Sequence, residues 1–260
     1  MKLYFSFFKM IVKKTFQYRL SLLLMFLAQV LTSVVSLLVI YILFDRFKIV
    51  DGWTFSQIAL CYGVSFFSFS FVECFFRGMD TFSKSIRSGN LDRMLVRPRG
   101  VIHQTLCSDF QLSKLGRTFV ALATLIVAMT LQTFTWTFGK VLIILGMCVA
   151  GIFVFLGLFM LGGAWAIFAI EGTEVVNIFT DGGRDLCQYP LSIYGKGIEK
   201  MFTYVIPFAC FNLLPLRYLY GMSGANIWNG ALAPIWGMLF IIPCYIVLRL
   251  SLKKYTSTGT

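Results

Sequence analysis

The chain has 260 residues, of which 58% are hydrophobic and only 13% are charged. A soluble domain usually has about a quarter of its residues charged, and a soluble fold of this length cannot hide so much apolar surface. The composition therefore excludes an ordinary soluble domain and indicates an all-α integral membrane protein. The net charge of +12 is concentrated beside apolar runs, which favours the positive-inside rule over nucleic-acid binding.

The first segment, residues 1–19, is basic and amphipathic. Lys9 and Lys13 recur on one side at helical spacing, while Ile11 and Phe16 belong to the opposite side. This pattern is typical of a helix that lies in the membrane interface and contacts lipid. An irregular basic tail is the alternative.

Six apolar stretches follow, each of at least about 17 residues, the shortest length with which a helix spans a bilayer. They lie near residues 20–44, 55–76, 118–138, 141–170, 201–221 and 231–248. The whole chain, 1–260, is therefore predicted to form a single transmembrane domain. Its one sizeable loop, 77–117, is predicted to be cytosolic.

Lysine and arginine are distributed unequally between the two sides of this arrangement. With the N-terminus inside, 19 of the 23 basic residues fall in inner segments and four in outer ones. Positively charged loops are retained in the cytosol. We therefore expect both termini to be cytosolic.

One segment, residues 173–188, fits two descriptions. Asp181, Arg184 and Gln188 share one helical face, so the segment can be an amphipathic helix on the cytosolic surface. It can also begin the fifth span, with residues 189–230 forming a broken re-entrant region outside. The six spans given above correspond to the surface helix.

Catalysis by this chain is poorly supported. The single histidine, His103, excludes HExxH metal sites, and the sequence has neither GxSxG nor the GxxxxGK(S/T) phosphate loop. Glu73 is the one acidic residue inside a predicted span, and Arg77 follows it one helical turn later. That spacing favours an interfacial ion pair over an ion-coupling site. We predict no catalytic, cofactor or metal site.

The large loop contains a short helix between two chain breaks. Asn90 is a suitable N-cap, and Pro98 stops the helix. Leu91, Met94 and Leu95 share one apolar face, which arginines flank. An apolar face on a cytosolic loop needs a cover, which can be a partner protein, this protein's own loop or anionic lipid.

The segment Gly89–Pro98 resembles the G-x-LD-xx-L-x-K/R-P stretch of type-2 ATP-binding-cassette exporter permeases. Four later pieces resemble that family's YP…IY…F-x-x-x-x-P…P…LG region in the same order: Tyr189-Pro190, Ile193-Tyr194, Phe202 to Pro207 and Leu214 to Gly221. The resemblance covers essentially the whole chain. It implies an elbow helix, six transmembrane helices and a coupling helix that contacts the ATPase. The coupling residues would be Gly89, Asn90, Leu91, Asp92, Arg93, Met94, Leu95, Arg97 and Pro98.

By this resemblance the chain is expected to be the permease subunit of an ATP-driven exporter in a bacterial plasma membrane. A second permease subunit, identical or paralogous, would complete the path. A separate ATPase subunit would bind ATP and magnesium, so this chain itself would need no cofactor and would not be an enzyme. The alternatives are an ion- or proton-coupled carrier, which paired charges at the membrane midplane would favour, and a non-transporting scaffold.

Overall fold

The computed structural model describes residues 2–106, 108–132, 134–169, 173–222 and 225–255, without the side chains of residues 2–8 and 173–175. Within this part of the chain, five helices are long and apolar enough to cross a membrane, or six if one bent pair counts as a span. The only strands described form a two-stranded hairpin. The all-α membrane fold predicted from the sequence is confirmed.

The interfacial segment forms helix α1, Lys2–Phe16, and the first span is α2, Arg19–Phe47. Strands β1, Ile49–Val50, and β2, Trp53–Thr54, then reverse the chain. The second span, α3, is Phe55–Phe75. It is the most buried of the candidate spans. We call the end of the molecule that carries β1 and β2 the hairpin end, and the opposite end the loop end.

Three short helices form the loop end: α4, Phe82–Arg87, α5, Asn90–Leu95, and α6, Val101–Leu106. A tight 3₁₀ turn after α3 packs against α6. A Cβ added to Gly78 in that turn would lie 1.9 Å from the carbonyl oxygen of Thr105. Only glycine permits this approach, so the loop is held closely against the end of α3.

The third and fourth spans are α7, Leu115–Thr130, and α8, Phe138–Phe168. The span predicted over 118–138 is therefore too long at its C-terminal end. The side chain of Gln132 donates a hydrogen bond to the carbonyl of Ser56 at 2.9 Å and accepts one from the Tyr220 hydroxyl. These bonds hold the chain at the hairpin end after α7 has ended.

Helix α9, Thr173–Leu186, crosses the bundle instead of lying on its surface. Near its start, a Cβ added to Gly162 in the last third of α8 would lie 2.7 Å from Val176. Just after its end, the carbonyl of Cys187 accepts a hydrogen bond from Cys61 at 3.5 Å. Because Cys61 lies in the first third of α3, α9 runs from the loop end towards the hairpin end.

The residues after α9 are at the hairpin end, where the Trp53 indole donates to the Ser192 hydroxyl at 3.0 Å. The surface helix predicted over 173–188 is therefore wrong, and the alternative, the start of a fifth span, matches the contacts. An amphipathic pattern does not distinguish a helix on a membrane surface from a span whose polar face lines a polar cleft. The side chain of Glu174, on the predicted polar face, lies outside the described residues.

The fifth span, predicted over 201–221 with interruptions at Pro207 and Pro215, is sharply bent. The segment contains the end of α10, Lys196–Tyr204, and all of α11, Leu213–Leu219. The helical stretches Lys196–Tyr204 and Phe208–Leu219, which we call the bent pair, meet at 87°. Pro207 lies between them, and proline lacks the N–H that a continuing helix needs.

The last span consists of α12, Ala233–Leu239, and α13, Ile241–Lys253, which follow a π-helical turn at Ile227–Ala231. It corresponds to the prediction over 231–248. The core beneath the bent pair is aromatic. The ring of Phe155 in α8 lies 5.2 Å from Phe69 in α3, and two phenylalanines of the bent pair, Phe208 and Phe211, pack on it.

Candidate coupling and translocation surfaces

The short helix predicted between Gly89 and Pro98 is present as α5, but its apolar face is divided between two environments. The N-cap of α5 is Gly89, with a left-handed φ of 65°, and not Asn90 as predicted. Leu91 is fully buried against Phe82 and Ile86 of α4 and the end of α8. This part of the face packs within the protein, as the loop alternative described.

The opposite part of α5 points away from the protein. Leu95 is 47% exposed and Val96 is 87% exposed. Arg93, Arg97 and Arg99 are also exposed. We call these five residues the α5 tip. Met94 lies between the two parts and is half-buried. Burial raises the pKa of Tyr255, which follows α13, and the nearby carboxylate of Asp92 raises it further.

The α5 tip rests on a rigid base. The side-chain amide of Gln104 in α6 donates to the carbonyls of Met94 at 3.0 Å and Arg99 at 2.8 Å. Leu91 anchors the other side of the helix. The apolar cluster around Leu91 therefore connects the tip to α4 and to the ends of α8 and α13.

A buried ion cluster lies between this base and the spans. Glu73, only 4% exposed, pairs with Lys114 at 2.8 Å, Arg117 at 2.7 Å and Arg77 at 3.3 Å. Arg77 also pairs with Asp80 at 2.9 Å. Burial raises the pKa of Asp80 despite the nearby guanidinium. The predicted pairing of Glu73 with Arg77 is confirmed, and the two further cations come from the chain just before and within α7.

A second ion cluster lies on α9. Arg184 pairs with Asp181 at 3.2 Å and with Asp185 at 2.8 Å. Its guanidinium lies 5.0 Å from the ring centre of Phe69 in α3. The two carboxylates face outwards, with side-chain exposures of 55% and 56%. The sequence predicts Asp181 and Arg184 on one polar helical face, but on a helix at the cytosolic surface of the membrane.

A polar cleft of about 160 Å³ lies beside this cluster, between α2 and α9, which we call the α2–α9 cleft. Its polar lining includes Thr32, Ser33, Ser36, Arg184, Asp185 and Gln188. Phe66, near the middle of α3, also lines it, so the cleft is at mid-depth. Exposing carboxylates to lipid at that depth is costly. The polar face of α9 therefore requires water or another polar surface.

The hairpin-end side of α9 is held by Asn212, which is fully buried. Its amide donates to the carbonyls of Cys187 at 2.9 Å and Tyr189 at 3.2 Å. Its oxygen accepts from the backbone N–H of Leu191 at 3.3 Å. One side chain thus joins the end of α9 to the bent pair. A lone asparagine in an apolar segment was the available sequence signal for this role.

The described residues contain no cluster of three or more metal-ligating side chains. A family model described as ABC-2 family transporter protein matches residues 30–259. No curated protein and no solved structure gives a significant match. The resemblance inferred from the coupling and hairpin-end motifs is confirmed: this chain is a multi-pass membrane transport permease and belongs to the ABC-2 transporter family.

Proposed function

We propose that this chain is the membrane-spanning subunit of an ATP-driven exporter and that a separate ATPase subunit docks on the α5 tip. The observation that carries the proposal is the pair of exposed aliphatic side chains, Leu95 and Val96, among three arginines at the loop end. Aliphatic and arginine side chains together suit a protein surface with an apolar groove and an acidic rim. The ATPase would bind the ATP and magnesium.

The position of the tip supports a role in energy coupling. Gln104 and Leu91 fix the tip to the base described above. The Glu73 cluster then links the end of α3 to the start of α7. Closure of the ATPase subunits would therefore move several spans together instead of deforming one loop.

The polar face of α9 supports a path through the membrane. Asp181 and Asp185 are at least half exposed in the single chain, at a depth where lipid would otherwise surround them. A second permease subunit, identical or paralogous, would face this surface and enclose a hydrated path between the two copies. Each copy would contribute the α2–α9 cleft to its wall.

Charge distribution supports a cytosolic loop end in a bacterial plasma membrane. With α9 as the fifth crossing, Lys196, Lys200 and Arg217 belong to the hairpin end. Sixteen basic residues then belong to the loop end and six to the hairpin end. The bias remains large, so both chain termini and the α5 tip are assigned to the cytosol.

The charges on α9 are also the observation that favours the alternative, an ion-coupled carrier. Purified complex distinguishes the two functions. An exporter subunit purified with its ATPase hydrolyses ATP in a vanadate-sensitive reaction. A carrier purified in the same way shows no such hydrolysis and responds only to ion gradients.

Docking is tested by Leu95→Asp/Val96→Asp in the tagged full-length chain, purified from its host membrane. Burying one large apolar side chain contributes about 1.5–3 kcal/mol, and about 1.4 kcal/mol corresponds to tenfold in affinity. We expect normal membrane insertion with loss of co-purifying ATP hydrolysis. The control is Ile49→Asp, which changes a 61% exposed aliphatic residue at the hairpin end and should retain hydrolysis. Unchanged hydrolysis in the double variant would contradict docking at the tip.

A further inference from the structure

A second surface, at the corner between α1 and α2, has features of a ligand site. A groove of about 730 Å³ opens there, within the range of about 300–1,000 Å³ typical of small-molecule sites. We call it the elbow groove. Its apolar walls come from α1, α2 and the chain around the start of α7: Val12, Phe16, Leu22, Leu23, Phe26 and Leu115.

Among the described residues that line the elbow groove, Arg19 alone is charged. It is exposed and forms no ion pair with any residue that the structure describes. The chain from residue 20 to residue 44 carries no charge. Arg19 therefore lies where the polar interface meets the hydrocarbon core, the depth of lipid phosphate groups.

The chain on either side of Arg19 adds positive charge, and one acid, Asp109, lines the neighbouring pocket together with Lys14. Residues 1–44 contain five lysines and arginines and no aspartate or glutamate. Lys13 and Lys14 lie in the last turn of α1, just before Arg19. An anion bound at Arg19 is therefore attracted by more than one cation.

We propose that the elbow groove binds one anionic phospholipid from the membrane leaflet at the loop end. Its phosphate contacts Arg19, and an acyl chain lies along Phe16, Leu23 and Phe26. The combination of an apolar groove and a single cation at its interfacial edge matches the two parts of such a lipid. The site is separate from the α5 tip and from the α2–α9 cleft, and it does not depend on the function of either.

The experiment measures lipid binding to the full-length chain in detergent by native mass spectrometry. The probes are dioleoyl phosphatidylglycerol and dioleoyl phosphatidylcholine, which share acyl chains and differ in net charge. We expect tighter binding of the anionic lipid. Arg19→Gln should weaken that binding about fivefold, the factor expected for one basic residue near an anionic headgroup. It should weaken phosphatidylcholine binding less, because the choline cation of that lipid offsets the charge of its phosphate.

The matched control is Arg46→Gln, since Arg46 is an exposed arginine at the opposite end of the same helix. It should leave both affinities unchanged. Leu23→Trp, at a position already 54% exposed, should fill the groove and weaken binding of both lipids. Gel filtration and circular dichroism check that each variant is folded.

Three results would overturn the proposal. Equal binding of the two lipids would exclude selection by charge. An equal loss in Arg46→Gln would show that the anionic lipid binds through general charge. Competition by free glycerol 1-phosphate as effective as that by the whole lipid would show that the groove does not hold the acyl chain. None of these results would bear on ATPase docking at the α5 tip.

Discussion

The two ion clusters of this protein have opposite arrangements. At the base of α3, the carboxylate of Glu73 is in the centre, 4% exposed, and cations surround it. On α9, the cation of Arg184 is in the centre, and two half-exposed carboxylates lie outside it. In the first cluster the central carboxylate is fully paired within the chain, and one of its cations, Arg117, also lines the α2–α9 cleft. The second presents net negative charge to whatever covers α9.

This difference distinguishes structural charge from charge available to a ligand or to water. A buried carboxylate with three cationic partners cannot be changed without leaving uncompensated charges. An exposed carboxylate that shares one guanidinium with another has capacity left for further partners. We therefore assign the Glu73 cluster to the framework and the α9 cluster to the path.

The largest expected effect comes from Glu73→Gln. Removing the central carboxylate leaves Arg117 and Lys114, whose side chains are 14% and 18% exposed, without their main partner. Breaking a buried pair in this way typically costs about 3–5 kcal/mol. The variant should show reduced yield and a clearly lower apparent melting temperature in detergent. A melting temperature like that of the parent chain would mean that the cluster is not part of the framework.

Asn212→Leu tests the uncharged counterpart of the Glu73 cluster at the hairpin end. It leaves the carbonyl of Tyr189 and the N–H of Leu191 without this partner, and the carbonyl of Cys187 with only the Cys61 thiol. An unsatisfied buried polar group costs about 1–3 kcal/mol, so the apparent melting temperature should fall, by less than for Glu73→Gln. Asn226→Leu changes an exposed asparagine and should have little effect. Equal melting temperatures for the two variants would contradict the role of Asn212.

The smallest effect on stability should come from Asp185→Asn. Its carboxylate is 56% exposed, and exposed ion pairs are worth under about 1 kcal/mol. The apparent melting temperature should remain near that of the parent chain, while vanadate-sensitive transport should fall because the path has lost a charge. If this variant destabilised the chain as much as Glu73→Gln, the contrast between the two clusters would be lost.

The sequence specifies the long spans well and the polar segments less well. The second span was predicted at 55–76 and is Phe55–Phe75, because a largely apolar run follows the Thr54 cap. Helix α9 was misplaced because its periodicity is the same on a membrane surface and beside a polar cleft. Pro207 and Pro215 predict an interruption of the fifth span, but they do not reveal that the chain bends by 87° there.

Helix α5 also shows that the sequence groups apolar residues on a face without revealing which of them are buried. Helical spacing places Leu91, Met94 and Leu95 on one face, and this grouping follows from sequence. Which of them the protein covers depends on α4 and the end of α8, which lie elsewhere in the chain. Only the tertiary structure separates Leu91, which supports the helix, from Leu95, which is available to a partner. The assignment of the site to an ATPase remains a prediction.

Cysteine labelling of α9 tests most directly the claim that its charged face lines a hydrated path. Asp185→Cys and Val35→Cys place thiols at positions of similar exposure in the single chain, 56% for the Asp185 side chain and 50% for Val35. A thiol reacts with a maleimide as the thiolate, which forms in water and not in lipid. In membranes that contain the assembled complex, and after subtraction of labelling in the parent chain, we predict reaction at position 185 but not at position 35. Vanadate should change the rate at position 185. No reaction at position 185 in either state would contradict the account.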